Sequence, residues 1–110
     1  MTPAEHDEVC AAVSHLPHLL ASVYLETFFA HRKDWFALGG TSFRDWLRVA
    51  GASPEIWMDI FWANRGKILS DILRFQEGLQ NVASLLAEEN QEKFQAFLAQ
   101  VFQLKEDLRK

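Results

Sequence analysis

The sequence predicts an all-α protein: a helical bundle of about five helices whose last two form a long antiparallel pair. Three observations predict it. Apolar residues recur three and four apart along most of the 110-residue chain. Hydroxyl, proline and acidic residues stand where those runs begin, as helix starts require. Glycine and asparagine stand where the runs end.

The first helix opens at Thr2-Pro3-Ala4-Glu5, a hydroxyl cap, a proline with its φ already set and an acid at the third position. Val9, Ala12, Val13, Leu16, Leu19, Leu20, Val23, Tyr24 and Phe28 continue it to about His31. Pro17 lies inside this run, so a kink is expected there. Arg32 to Thr41 reads as a loop closed by Gly39-Gly40, a pair that lets the backbone approach another group closely. Ser42-Phe43-Arg44-Asp45 matches the Ser-x-x-Asp capping pattern. The short helix it starts should stop at Gly51 in a left-handed conformation. Ser53-Pro54-Glu55 starts a third helix through Ile56, Trp57, Ile60 and Phe61. Asn64-Arg65-Gly66 is the expected break after it, with Asn64 capping the next helix; one uninterrupted helix is the alternative. From Ile68 to Leu86 an amphipathic series of about 20 residues follows. It contains Gly78, which would suit close packing against another helix. A turn at Glu88-Glu89-Asn90, with Asn90 as cap, leads to the last stripe: Phe94, Phe97, Leu98, Val101, Leu104 and Leu108. A short turn between long helices predicts antiparallel neighbours.

Composition narrows the function. With 49% apolar and 24% charged residues, the chain suits one domain over residues 1–110 and leaves no room for a second of any size. Eleven basic and fifteen acidic side chains give a net charge of −4. The balance is −2 in each of residues 1–53 and 54–110. No basic cluster marks a nucleic-acid surface, and no apolar run approaches the ~20 residues needed to span a membrane. Cys10 is alone, so no internal disulfide can form, and a reducing cytoplasm is the expected setting. Four Trp (35, 46, 57 and 62) are many for this length. Trp57 and Trp62 suit core or interface, and so many large apolar side chains point to an oligomeric contact.

Two clusters could carry chemistry. His15 and His18 flank Pro17 three residues apart, hence on one helix face. They could form a hydrogen-bonded imidazole pair, share a metal, or aim an imidazole at an anionic or hydroxylated ligand. Zinc needs three or four ligands, and nothing local completes the set. Arg44, Asp45 and Arg48 have the spacing to share one face of the short helix. A guanidinium held by a neighbouring Asp grips a carboxylate well; the same pair could equally be an exposed ion pair without function. No activated nucleophile and no phosphate-cradling glycine loop stands out.

Several separated motifs agree in order with one known family. They are Glu5-His6-Asp7, Ser14-His15-Leu16-Pro17-His18-Leu19-Leu20, Phe43-Arg44-Asp45 through Arg48-Val49-Ala50, Ser53-Pro54-Glu55-Ile56-Trp57-Met58-Asp59-Ile60-Phe61 and Ala63-Asn64-Arg65. Together they resemble the C-terminal domain of prephenate dehydrogenases, a family that includes arogenate and cyclohexadienyl dehydrogenases. The resemblance covers Met1 to about Leu86; the last helix agrees by pattern only. It implies an all-helical, intertwined dimerisation domain that completes a substrate pocket. It also implies an N-terminal Rossmann domain, absent from this stretch, that binds NAD or NADP. The whole enzyme would oxidatively decarboxylate prephenate to 4-hydroxyphenylpyruvate on the way to tyrosine. By the resemblance, Arg48 binds a substrate carboxylate, Asp45 orients Arg48 or closes the pocket, His15 contacts substrate or product, and Trp57 lines the edge. The family's catalytic His lies in the other domain, so no catalytic, cofactor or metal residue is assigned here. The implied partners are a second copy of the chain, prephenate or arogenate, and tyrosine as an effector.

Two departures stand out. Thr41 and Ser42 replace the glycine usual before Phe-Arg-Asp, and Leu47 replaces the Thr usual before the carboxylate-binding Arg. The rival readings are a free-standing helical interaction module and a helical metalloprotein built on His15 and His18.

Overall fold

The computed structural model describes residues 1–109, and among them all regular structure is helical. The chain divides into two compact units, Met1–Ile72 and the segment from Leu73 onward. The first contains α1 (Pro3–Cys10), α2 (Leu16–Phe29), α3 (Lys33–Phe36), α4 (Thr41–Leu47), α5 (Pro54–Ala63) and the start of α6 (Arg65–Ala87). The second contains the rest of α6 and α7 (Gln91–Leu108).

The first helix starts as the sequence dictates, with Glu5 N–H donating to Thr2 Oγ1 at 3.1 Å. Between α1 and α2 the backbone widens into a π turn, Ala11–His15, where Leu16 N–H donates to the Ala11 carbonyl five residues back. The expected kink at Pro17 takes this form. Pro17 has no N–H for the Val13 carbonyl, and its ring would crowd that carbonyl in a regular helix. A wider turn immediately before it relieves both. Ala11, Leu16 and Ala21 bury their side chains along this stretch.

The loop expected at Arg32–Thr41 contains a four-residue helix, α3, which was not predicted. Arg32 folds over the Trp35 ring at 4.0 Å and donates from Nη2 to Asp34 Oδ2 at 3.0 Å. Phe36 meets Phe29 of α2 and Phe43 of α4 at ring distances of 5.9 and 5.8 Å. Phe29 and Phe43 complete the triangle at 5.5 Å. Gly39 lies directly under Phe43, where a Cβ would overlap the ring. The close approach that Gly39-Gly40 suggested is this one.

Helix α4 starts at Thr41 behind an N-cap at Gly40, two residues earlier than the expected cap at Ser42, so Ser42 lies within the helix rather than capping it. Gly51 is left-handed as expected, φ +75°, but α4 ends earlier, at Leu47 with Arg48 as its C-cap, so Gly51 lies in the turn beyond the helix rather than at its end. Ser53 holds the N-cap position of α5. Its hydroxyl donates to Glu55 Oε2 at 2.9 Å instead of accepting from the helix backbone. The break between α5 and α6 falls at Asn64. Leu47 and Ile68 complete the buried apolar set, all of it in the first unit.

In the second unit, α6 closes with Glu89 in a left-handed conformation, φ 55°. Asn90 N–H reaches back to the Leu85 carbonyl at 2.9 Å, and Glu89 N–H to Leu86 at 3.2 Å. This ending satisfies the last carbonyls of the helix. Asn90 then caps α7, its Oδ1 accepting from Lys93 N–H at 3.1 Å. Near the turn Leu85 and Phe94 are half-buried. Beyond it Leu98, Val101, Phe102, Leu104 and Leu108 are exposed. Within one chain, therefore, the two long helices do not cover one another's apolar stripes along their length.

Candidate functional site

The predicted site residues fall into two groups, both in the first unit. His15 ends the π turn, and His18 stands one turn further on α2. Both meet α5. Phe61 sets its ring edge-on to His15 (5.9 Å, 84°), and Trp57 lies against His18 at 4.7 Å. Trp57 and Phe61 touch each other at 5.4 Å. The i, i+4 spacing of Trp57 and Phe61 along α5 matches the i, i+3 spacing of His15, at the end of the π turn, and His18 on α2. The result is a continuous four-ring strip joining the two helices. His18 Nδ1 is buried there without a hydrogen-bond partner.

The second group is Arg48 and Asp45 at the end of α4. Arg48 Nε donates to Asp45 Oδ1 at 3.4 Å, and the two side chains are 74% and 73% exposed. The pair predicted from the sequence is thus formed and open to solvent. Arg44, expected on the same face, turns away: its Nη2 donates to the Ala37 carbonyl at 3.0 Å, which fixes the α3–α4 loop. Among the described residues no hydrogen bond or ring contact joins Arg48 or Asp45 directly to the four-ring strip.

The two groups are nonetheless tied through the backbone. Ser22 Oγ donates to the His18 carbonyl at 2.9 Å and accepts from Gly51 N–H at 3.2 Å. The turn carrying Arg48 is therefore anchored to the turn of α2 that carries His18. Gly51 reaches this position only through its left-handed φ.

Two residues here were not predicted as site residues. Ser22 looks like any polar residue on a helix. Asn64 was read as a cap, yet its side chain is only 8% exposed. Its Nδ2 donates to the Asp7 carbonyl at 2.9 Å and lies 3.1 Å from His15 Nδ1. Asn next to Arg-Gly at a helix break was the signal available, and it could not tell a cap from a buried bridge. Lys67 Nζ also reaches Glu8 Oε1 at 3.2 Å, closing α6 onto α1.

The first unit thus carries two separate features, an exposed guanidinium held by a carboxylate and a strip of two imidazoles and two aromatic rings; the first suits a carboxylate and the second a flat ring. Among the described residues no three His, Cys, Asp or Glu side chains gather as a metal site. No described helix is long and apolar enough to cross a membrane.

Residues 2–100 match the family described as "Prephenate dehydrogenase, dimerization domain". The chain is 37% identical over 98 residues to a prephenate dehydrogenase of Bacillus subtilis (strain 168), covering 84% of this chain and 25% of that protein. It is 30% identical over 94 residues to a cyclohexadienyl dehydrogenase of Zymomonas mobilis, covering 82% of this chain and 32% of that one. The chain thus spans a quarter to a third of these curated relatives. Among solved structures it resembles prephenate dehydrogenase from A. aeolicus in complex with hydroxyphenyl propionate and NAD+, with TM-score 0.86 and 31% identity. That likeness covers 98% of this chain and 39% of the other. Synechocystis arogenate dehydrogenase shares the fold at TM-score 0.83 and 23% identity, over 98% of this chain and 41% of that one. A family match over nearly the whole chain, on the fold just described, makes this protein a member of the prephenate dehydrogenase dimerisation-domain family.

Proposed function

We propose that this chain is the dimerisation and substrate-pocket part of an NAD- or NADP-dependent, cytoplasmic dehydrogenase that oxidatively decarboxylates prephenate to 4-hydroxyphenylpyruvate. The observation that carries the reading is the likeness over 98% of the chain to a relative solved with hydroxyphenyl propionate and NAD+. An aromatic carboxylic acid is the ligand class that the residues on this chain suit.

In this reading Arg48 grips a substrate carboxylate, and Asp45 holds the guanidinium ready. Prephenate is a dianion, so a fixed cation gives both affinity and orientation. Trp57 and Phe61 form the wall for the ring, and His15 contacts the bound acid. The chain's described residues contain no strand leading through a glycine turn into a helix, the unit that cradles a dinucleotide. The cofactor would therefore be held by a separate domain, and hydride acceptance belongs there. What this chain contributes is binding, orientation and pairing with a second copy. Arogenate in place of prephenate, and tyrosine as an effector, likewise present a carboxylate and a hydroxylated six-membered ring.

The test is an NMR titration of the labelled chain with 3-(4-hydroxyphenyl)propionate. Shifts should concentrate at His15, Arg48 and Trp57. Arg48→Ala should weaken binding by about 2 kcal/mol, roughly thirtyfold. Its melting temperature should stay within a degree or so of the parent, because so exposed an ion pair adds little stability. Equal affinity in the two proteins would remove Arg48 from the pocket.

A further inference from the structure

Asn64 occupies the break between α5 and α6 and is almost fully buried. Its side-chain orientation is settled by Asp7. The Asp7 backbone oxygen can only accept, so the atom facing it at 2.9 Å must be the amide nitrogen, not the amide oxygen. That oxygen also takes the Ala11 N–H at the start of the π turn and keeps a second lone pair for Asn64. The same amide nitrogen faces His15 Nδ1 at 3.1 Å. It has a second hydrogen to give and no lone pair to offer. His15 Nδ1 must therefore accept. A neutral imidazole that accepts at Nδ1 carries its proton on Nε2. Phe61, edge-on to the ring, fixes its plane.

We propose that Asn64 is a positioning residue that locks His15 in the Nε2–H form, so that His15 meets a bound aromatic acid as a hydrogen-bond donor to a carboxylate or keto oxygen. The second half of this rests on the proposed function above. The first half, the locked tautomer, does not.

The two halves separate by experiment. The 110-residue chain with 15N-labelled imidazoles is studied by long-range 1H–15N NMR at a pH where His15 is neutral. The expected spectrum shows a bare Nδ1 and a protonated Nε2 for His15. Asn64→Asp puts an acceptor in place of the donor and should move the proton to Nδ1. Asn64→Ala removes the donor and should leave a mixture of both forms. A wild-type spectrum with Nδ1 protonated overturns the lock without any variant, as does an unchanged tautomer in an Asn64→Asp protein that circular dichroism shows to be folded. Adding 3-(4-hydroxyphenyl)propionate should move the His15 Nε2 resonance, and Asn64→Asp should weaken binding about tenfold or more. A locked tautomer whose Nε2 resonance ignores the ligand overturns the ligand contact and leaves the lock intact.

Discussion

The two units of this chain obey the same helix rules and differ in how much they bury. In Met1–Ile72 the helices hold one another. All five buried apolar residues among the described residues are there, together with the three-phenylalanine cluster and the Ser22, Asn64 and Lys67 cross-links. From Leu73 onward α6 and α7 are well formed and well capped, yet no described residue is buried. Phe102 is 67% exposed and Leu108 74%. Local signals suffice to make a helix; only a facing surface makes a core. The first unit supplies facing surfaces for only part of its apolar set: Leu38, Ile56 and Trp62, among others, stay exposed there too. The second presents an exposed apolar stripe along α7, in a family whose description names dimerisation.

The contrast can be broken most severely by charging that stripe. Leu98→Asp with Val101→Asp should cost about 4 kcal/mol of association, roughly a thousandfold in dimer affinity, while the first unit keeps its tertiary structure. Sedimentation velocity and near-ultraviolet circular dichroism report the two effects separately. Tertiary signals of Trp57 that collapsed along with the dimer would show that the first unit is not self-sufficient.

One substitution type should have opposite signs in the two units. Gly39→Ala drives a methyl into Phe43, which Phe29 and Phe36 prevent from yielding, and should destabilise by about 1–3 kcal/mol. Gly78→Ala meets open space in the chain and should stabilise α6 by up to about 1 kcal/mol. Urea unfolding midpoints decide both. A stabilising Gly39→Ala would contradict the packing described for α3 and α4.

The smallest effect concerns Glu55. Its own backbone N–H first, and the Ser53 hydroxyl second, hold its carboxyl below the ordinary glutamate value. A carboxylate with a lowered folded-state pKa contributes stability that is fully present above the unfolded value. That contribution is lost as pH falls through the folded value. Ser53→Ala should raise the Glu55 pKa toward the ordinary value and leave the fold intact. An NMR titration of the Glu55 carboxyl carbon measures it; an unchanged midpoint would show that the Ser53 bond does not persist in solution.

Much of this architecture was written in local residues. Thr2-Pro3, Ser53-Pro54 and Asn90 mark boundaries through groups that act within one turn, and each stands where expected, whereas α4 ends at Leu47, short of Gly51. The misses are of another kind. Helix α3 is too short to show a period, and its residues are held by Arg32 and the Phe29–Phe43 contacts. Helix α4 starts at Thr41 because Gly39 packs under Phe43, which overrides the Ser42 capping pattern. Asn64 joins residues 57 and 49 positions away in the chain, a separation that no local pattern encodes. The Arg48–Asp45 pair was legible because it lies within one helical turn. The four-ring strip was only half legible: each spacing could be read along its own helix, but the meeting of α2 with α5 could not.

The first unit thus holds a small buried core within one chain, the second holds none among the described residues, and we propose that a second copy of the chain covers the exposed stripe of α7. Sedimentation equilibrium of the purified protein tests it directly. The expected result is a particle of twice the 12.7 kDa chain mass across the micromolar range. A 12.7 kDa monomer with α7 fully helical throughout that range would contradict it.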